Sequence, residues 1–147
     1  MLQDVIIDMR TIQKCEGGEG VDGLNFTTDG YYTYDDNVGC LTYLESQVTG
    51  MEGTRTSVFV MPDSVVVDRD GKITSRMIFR EGEKNRFLYN TPFGNATMGL
   101  NTRSIKQNMG ADGGHLEIEY VLDVEHTVFT KNKFIIDVRK SGARTNA

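Results

Sequence analysis

The chain has 147 residues, 25% of them charged and 38% hydrophobic, with a net charge of −5 and a pI near 5.0. That length suits one domain able to bury a core without staples, and the balance excludes a disordered or helical-membrane class. The acidic total argues against nonspecific duplex binding, which needs a basic surface to displace counterions.

Two cysteines, Cys15 and Cys40, make no disulfide framework and no C-x-x-C zinc pair. They read as free thiols of a reducing compartment. The opening M-L-Q-D-V-I-I-D-M-R carries Asp4 and Asp8 inside its apolar run. It fits neither a signal h-region nor a membrane span, so a cytoplasmic location is expected.

Residues 4–13 form the first expected strand, with Val5, Ile7 and Met9 alternating against Ile6, Asp8 and Arg10. The glycine-rich stretch that follows carries Glu16, Glu19 and Asp22. It precedes no helix and would repel phosphate, so it reads as a solvated loop. Residues 24–34 are a strand rich in Thr and Tyr, ended by the turn chemistry of Asp35, Asp36 and Asn37. A strand is expected from 40 to 48, broken at Thr49 and Gly50, and another from 53 to 61, closed by Pro62.

The hairpin at Asp70 and Gly71 offers two registers. A three-residue loop pairs Val67 with Ile73 and puts Val65, Val67, Ile73, Met77 and Phe79 on one apolar face. That register is preferred, because a slip of one residue would put Asp68 there instead. It leaves Arg69 at a strand end, near a barrel mouth. After a turn at residues 81–84, Phe87, Tyr89 and Thr91 alternate with Arg86 and Leu88. Residues 95–109 place Ala96, Met98, Leu100 and Thr102 on one face. After a glycine-rich loop at 110–114, Leu116, Ile118, Tyr120 and Leu122 alternate with acidic residues. A last strand spans 127–140 with a kink expected at 131–133, and residues 141–147, with Arg144, read as a flexible tail beyond Arg139 and Lys140. About ten strand runs with short connections and no amphipathic helix predict an all-β, antiparallel, up-and-down barrel occupying residues 1–140.

Several short motifs occur in order along these strands. They are T-x-G-Y-Y at 28–32, Y-x-E at 43–45, G-x-x-T at 53–56, R-x-G at 69–71 and M-x-F at 77–79. Tyr89, Gly94, T-x-x-I at 102–105 and Tyr120 follow. Together they resemble the YwiB-like family of small bacterial calycin-like β-barrels. The resemblance spans most of the chain. It implies a lipocalin-like barrel of eight to ten strands and a bacterial cytosolic source. It supplies no reaction and no catalytic residues.

Recognised catalytic patterns are missing: there is no G-x-S-x-G, Walker, Rossmann or H-E-x-x-H sequence. His115 and His126 read as surface residues rather than metal or haem ligands, and no cofactor is expected. Tyr31, Tyr32 and Tyr34 are flanked by aspartates that would repel a nucleic-acid strand, so they read as ordinary strand residues. The seven methionines read first as core filler, with an adaptable pocket lining as the alternative.

The candidate site is a polar cluster inside the barrel: Glu45 and Arg69, ringed by Tyr43, Thr56, Tyr89 and Tyr120. Two parities are open for Glu45, because Leu44, Ser46 and Val48 could form the inner face instead. A buried carboxylate needs a partner, and Arg69 is the candidate. The leading expectation is a binding barrel for a small, partly apolar ligand. The alternatives are a structural or interaction module, such as a homodimer, and an enzyme with Glu45 as general base. No membrane or nucleic-acid partner is expected.

Overall fold

Period-two alternation becomes ten antiparallel strands in the computed structural model, which describes residues 2–15 and 22–141. They are β1 (Gln3–Cys15), β2 (Asp22–Asp35), β3 (Val38–Leu44), β4 (Thr54–Val60) and β5 (Val65–Gly71). Then come β6 (Ser75–Phe79), β7 (Lys84–Thr91), β8 (Gly94–Gly110), β9 (Gly113–Val124) and β10 (Val128–Lys140). Among the described residues no helix is long and apolar enough to cross a membrane. The acidic loop at 16–21 and the tail at 142–147 lie outside the described residues.

The spatial order is β6-β5-β4-β3-β2-β1-β10-β9-β8-β7. Every pair of sequence neighbours except β6 and β7 forms a ladder, and the first strand pairs with the last, as in an up-and-down barrel. The barrel is nearly closed. Its seam lies between β6 and β7, where a bridge joins Thr74 to Asn90 and the Asn85 amide donates to the Ile78 carbonyl at 2.9 Å. Inward positions form one apolar core. Val5, Ile7, Leu41, Val58, Val65, Val67, Phe79, Leu100, Ile118 and Ile136 are all buried in it.

Three local expectations change. The β5–β6 hairpin pairs Val67 with Met77, not Ile73, and its innermost pair is Arg69 with Ser75. The shift is an even number of residues, so Val65, Val67, Met77 and Phe79 still share the inner face. What displaces the turn is the β3–β4 loop: Lys72 N–H donates to the Gly53 carbonyl and Ile73 N–H to the Thr54 hydroxyl. Next, β3 ends at Leu44 rather than Val48, and residues 46–50 form tight turns. Finally, β10 shows no kink at 131–133, since its register to both β1 and β9 runs through those residues unbroken. A bulge appears instead in β8 between Thr102 and Ser104. The extra residue, Arg103, moves the inner face from even positions (Leu100, Thr102) to Ile105.

The strand β2 divides between two partners. Residues 22–32 pair with β1, but only residues 31–35 pair with β3. Where β2 leaves β3, Gly30 lies so close that a Cβ would stand 2.5 Å from the Thr42 carbonyl oxygen and 2.9 Å from Ile7 Cδ1. Gly30→Ala is therefore expected to destabilise the protein by about 1–3 kcal/mol. Urea unfolding would read this, and an unchanged midpoint would show that β2 has room to move.

Candidate functional site

The register brings three predicted site residues into one row. Thr56 on β4 pairs with Tyr43 on β3 and with Arg69 on β5. Glu45 follows Tyr43 by two residues, so it shares that inner face, and its N–H donates to the Thr54 carbonyl at 2.8 Å. This settles its parity. Leu41, Tyr43 and Glu45 are buried, whereas Leu44, Ser46 and Val48 are exposed.

The Glu45 side chain is only 1% exposed. One carboxylate oxygen, Oε2, accepts the Thr56 hydroxyl at 2.5 Å, and the other, Oε1, accepts the Thr49 hydroxyl at 2.9 Å. Arg69 Nε stands 4.0 Å from Oε2, close enough for charge attraction but too far for a hydrogen bond. Arg69 Nη1 donates to the Met77 sulfur at 3.5 Å, and its Nε has no hydrogen-bond partner among the described residues. Tyr43 donates to the Met9 sulfur at 3.6 Å. Burial, then the Glu45 charge, pushes the Tyr43 phenol up, while Arg69 pulls the other way.

A cavity of about 210 Å³ opens beside this cluster. It lies where β2 has parted from β3. Tyr43, Glu45, Thr49 and Arg69 supply its polar end, with Thr11 and the exposed Arg10 also at its border, while Met9, Leu24, Phe26, Met51, Val58 and Phe134 are among its apolar walls. Thus Tyr43, Glu45 and Arg69 meet at the cavity, and Thr56 holds Glu45 without lining it. Tyr120 packs in the interior against Phe79 and Phe134, with ring centroids 5.0 and 6.3 Å away. Burial pushes its phenol up to about 12, against a downward pull from Arg69. Tyr89 is half-buried on β7 opposite Ala96 and does not line the cavity.

Thr49 is the residue that sequence reasoning missed. It reads as a strand breaker, yet the tight turn folds its hydroxyl back onto Glu45, four positions earlier. Two of the methionines, Met9 and Met51, do line the cavity.

A larger depression, about 770 Å³, lies on the outer side over β1, β2 and β3. It is bordered by Leu2, Tyr31 and Leu44, all exposed. The smaller cavity is the better candidate site, because it alone joins apolar walls to the buried ion pair.

His115 is a surface residue, held between two carboxylates. Its Nδ1 lies 2.6 Å from Asp137 and its Nε2 2.7 Å from Glu117, which also meets Lys133 at 3.4 Å. Among the described residues no group of three potential ligands could hold a metal ion. His126 contacts the Arg86 guanidinium. Cys40 is a free, half-buried thiol pushed up by burial; the side chain of Cys15 lies outside the described residues.

A family model described as a domain of unknown function (DUF1934) matches residues 7–136. The chain belongs to that family. Among curated proteins, the uncharacterized beta-barrel protein YwiB of Bacillus subtilis is 25% identical over 120 residues, 82% of each chain. Among solved structures, the ywiB protein of Bacillus subtilis superposes with a TM-score of 0.77 over 92% of each chain, at 21% identity. This DUF1934 chain therefore has the YwiB barrel, as its short motifs indicated, and the likeness in structure speaks to fold alone.

Two predictions follow from these contacts. Thr56→Val keeps the shape and removes the hydroxyl, leaving Glu45 Oε2 short of a donor. It should cost about 1–3 kcal/mol in urea unfolding, and Thr49→Val less, because Thr49 is only half-buried. Equal, negligible costs would mean that the carboxylate needs neither. For His115, hydrogen bonds to Asp137 and Glu117 raise the folded value above 6.5. Its stabilisation is complete below that pH and is lost as pH rises through the raised value. Glu117 is lowered from 4.5, chiefly by the bond to His115, so its share is lost as pH falls through the lowered value. The urea-midpoint gap between the native chain and His115→Asn should be widest between pH 4.5 and 6.5 and should narrow on both sides. A gap independent of pH would count against the clamp.

Proposed function

We propose that this chain is a lipocalin-like binding barrel of the cytoplasm that holds a small, partly apolar molecule in the cavity beside Glu45 and Arg69. The observation that carries the reading is the cavity itself: apolar walls on most sides and a buried, oppositely charged pair at one end. Its 210 Å³ falls below the range of about 300–1,000 Å³ typical of drug-sized pockets, so the ligand is small. Both Glu45 oxygens already accept threonine hydroxyls, which supports a binding role over proton abstraction. The apolar interior reverses the pattern of a water-filled membrane barrel. With the net charge of −5, it favours neither a membrane nor a nucleic-acid partner.

The exposed Leu2, Tyr31 and Leu44 around the outer depression favour a second reading, a homodimer through that face. A stable interface of that kind buries more than about 1,000 Å². Sedimentation at a single monomer mass over a wide concentration range would remove it.

Native mass spectrometry of the chain purified from its own host tests the first reading. The expected result is a retained small molecule, absent from Met51→Trp, whose indole would fill the cavity. A native chain that carries no molecule, or a Trp variant that carries the same one, would count against the cavity as the binding site.

A further inference from the structure

We infer that the cavity selects a neutral molecule presenting an amide-like edge, an N–H beside a C=O, on a small apolar body. The inference rests on the binding reading above and names the chemistry of the ligand.

Spare hydrogen-bonding capacity sits at one end of the cavity. Each Glu45 oxygen accepts one threonine hydroxyl, and a carboxylate offers about four acceptor sites. Lone pairs therefore remain. Beside them, Arg69 Nε is buried with no hydrogen-bond partner among the described residues, and one N–H of Nη1 is directed at a thioether, a weak acceptor. The 4.0 Å between Nε and Oε2 keeps the two groups from satisfying each other. An acceptor and a donor thus stand side by side, facing an apolar space.

Charge decides between ligand classes. The two buried side chains at the polar end cancel, so that end is neutral before anything binds; Arg10, which also borders the cavity, is exposed to solvent. A carboxylate ligand would satisfy Arg69 while facing Glu45, and would add a net charge in a poorly solvated place. An ammonium ligand would satisfy Glu45 while facing Arg69. An amide edge donates to Glu45, accepts from Arg69 and adds no charge. Rejection of the charged analogues comes from the same two residues that bind the neutral one. The volume equals that of about seven waters at ~30 Å³ each, which indicates a single small ring.

The test is a methyl-NMR titration of the full chain, with Met9 and Met51 in the cavity wall as reporters. The probes are caprolactam, N-methylcaprolactam, hexanoate, cyclohexylamine and benzene. Caprolactam should shift both methyl signals, with a Kd about tenfold or more below those of the N-methyl compound and the two charged probes. Glu45→Gln leaves the Arg69 charge unbalanced and should turn the preference toward hexanoate. If that variant fails to fold, the native series decides alone. Hexanoate, cyclohexylamine or N-methylcaprolactam binding the native chain as tightly as caprolactam would overturn the inference. So would a response to benzene alone, and in each of these cases the binding reading stands. No shift from any probe, benzene included, would overturn both.

Discussion

The pairing of β1 with β10 is the constraint on which the molecule depends. Without it the ten strands would be a long meander with one face wet. With it, Val5, Ile7 and Met9 on the first strand face the same interior as Ile136 and Val138 on the last. The pairing joins residues more than a hundred positions apart. The chain-entropy cost of such a closure grows only logarithmically with loop length, and one continuous apolar core offsets it.

Closure is not uniform, and the irregularities set the chemistry. A strand of fourteen residues such as β2 cannot follow both neighbours along its whole length as the sheet coils. It stays with β1 and leaves β3 beyond Gly30. The wall opens there, and the β3–β4 loop covers only part of the opening. The cavity is the space left over. The β8 bulge makes a comparable adjustment on the opposite wall, moving Ile105 inward where strict alternation would have pointed Ser104.

A charged pair at the edge of this space is costly unless its partners are in place. Glu45 meets that requirement through two hydroxyls and a nearby guanidinium. Arg69 meets it less fully, with Nη1 on sulfur and Nε without a hydrogen bond among the described residues. The asymmetry supports the proposed binding role over a purely structural one. A structural pair would close to hydrogen-bond distance, whereas this one holds a donor in reserve beside apolar walls.

The sequence by itself determined the class of fold, the order of the strands and most of the inward faces. Alternation is a local property, written in runs such as Leu116, Ile118, Tyr120 and Leu122, and it survives errors of register that are even in length. The shifted β5–β6 hairpin shows this, since Met77 replaced Ile73 opposite Val67 and the core face was unchanged. Only the tertiary structure decided the parity of Glu45, because Leu44, Ser46 and Val48 made an equally regular alternative until pairing with β4 fixed the face. It also brought Thr49 to Glu45, left Tyr89 away from the cavity, and opened the wall at Gly30. These depend on where distant segments meet and on how far a long strand must bend, and neither quantity is encoded in the spacing of neighbouring residues.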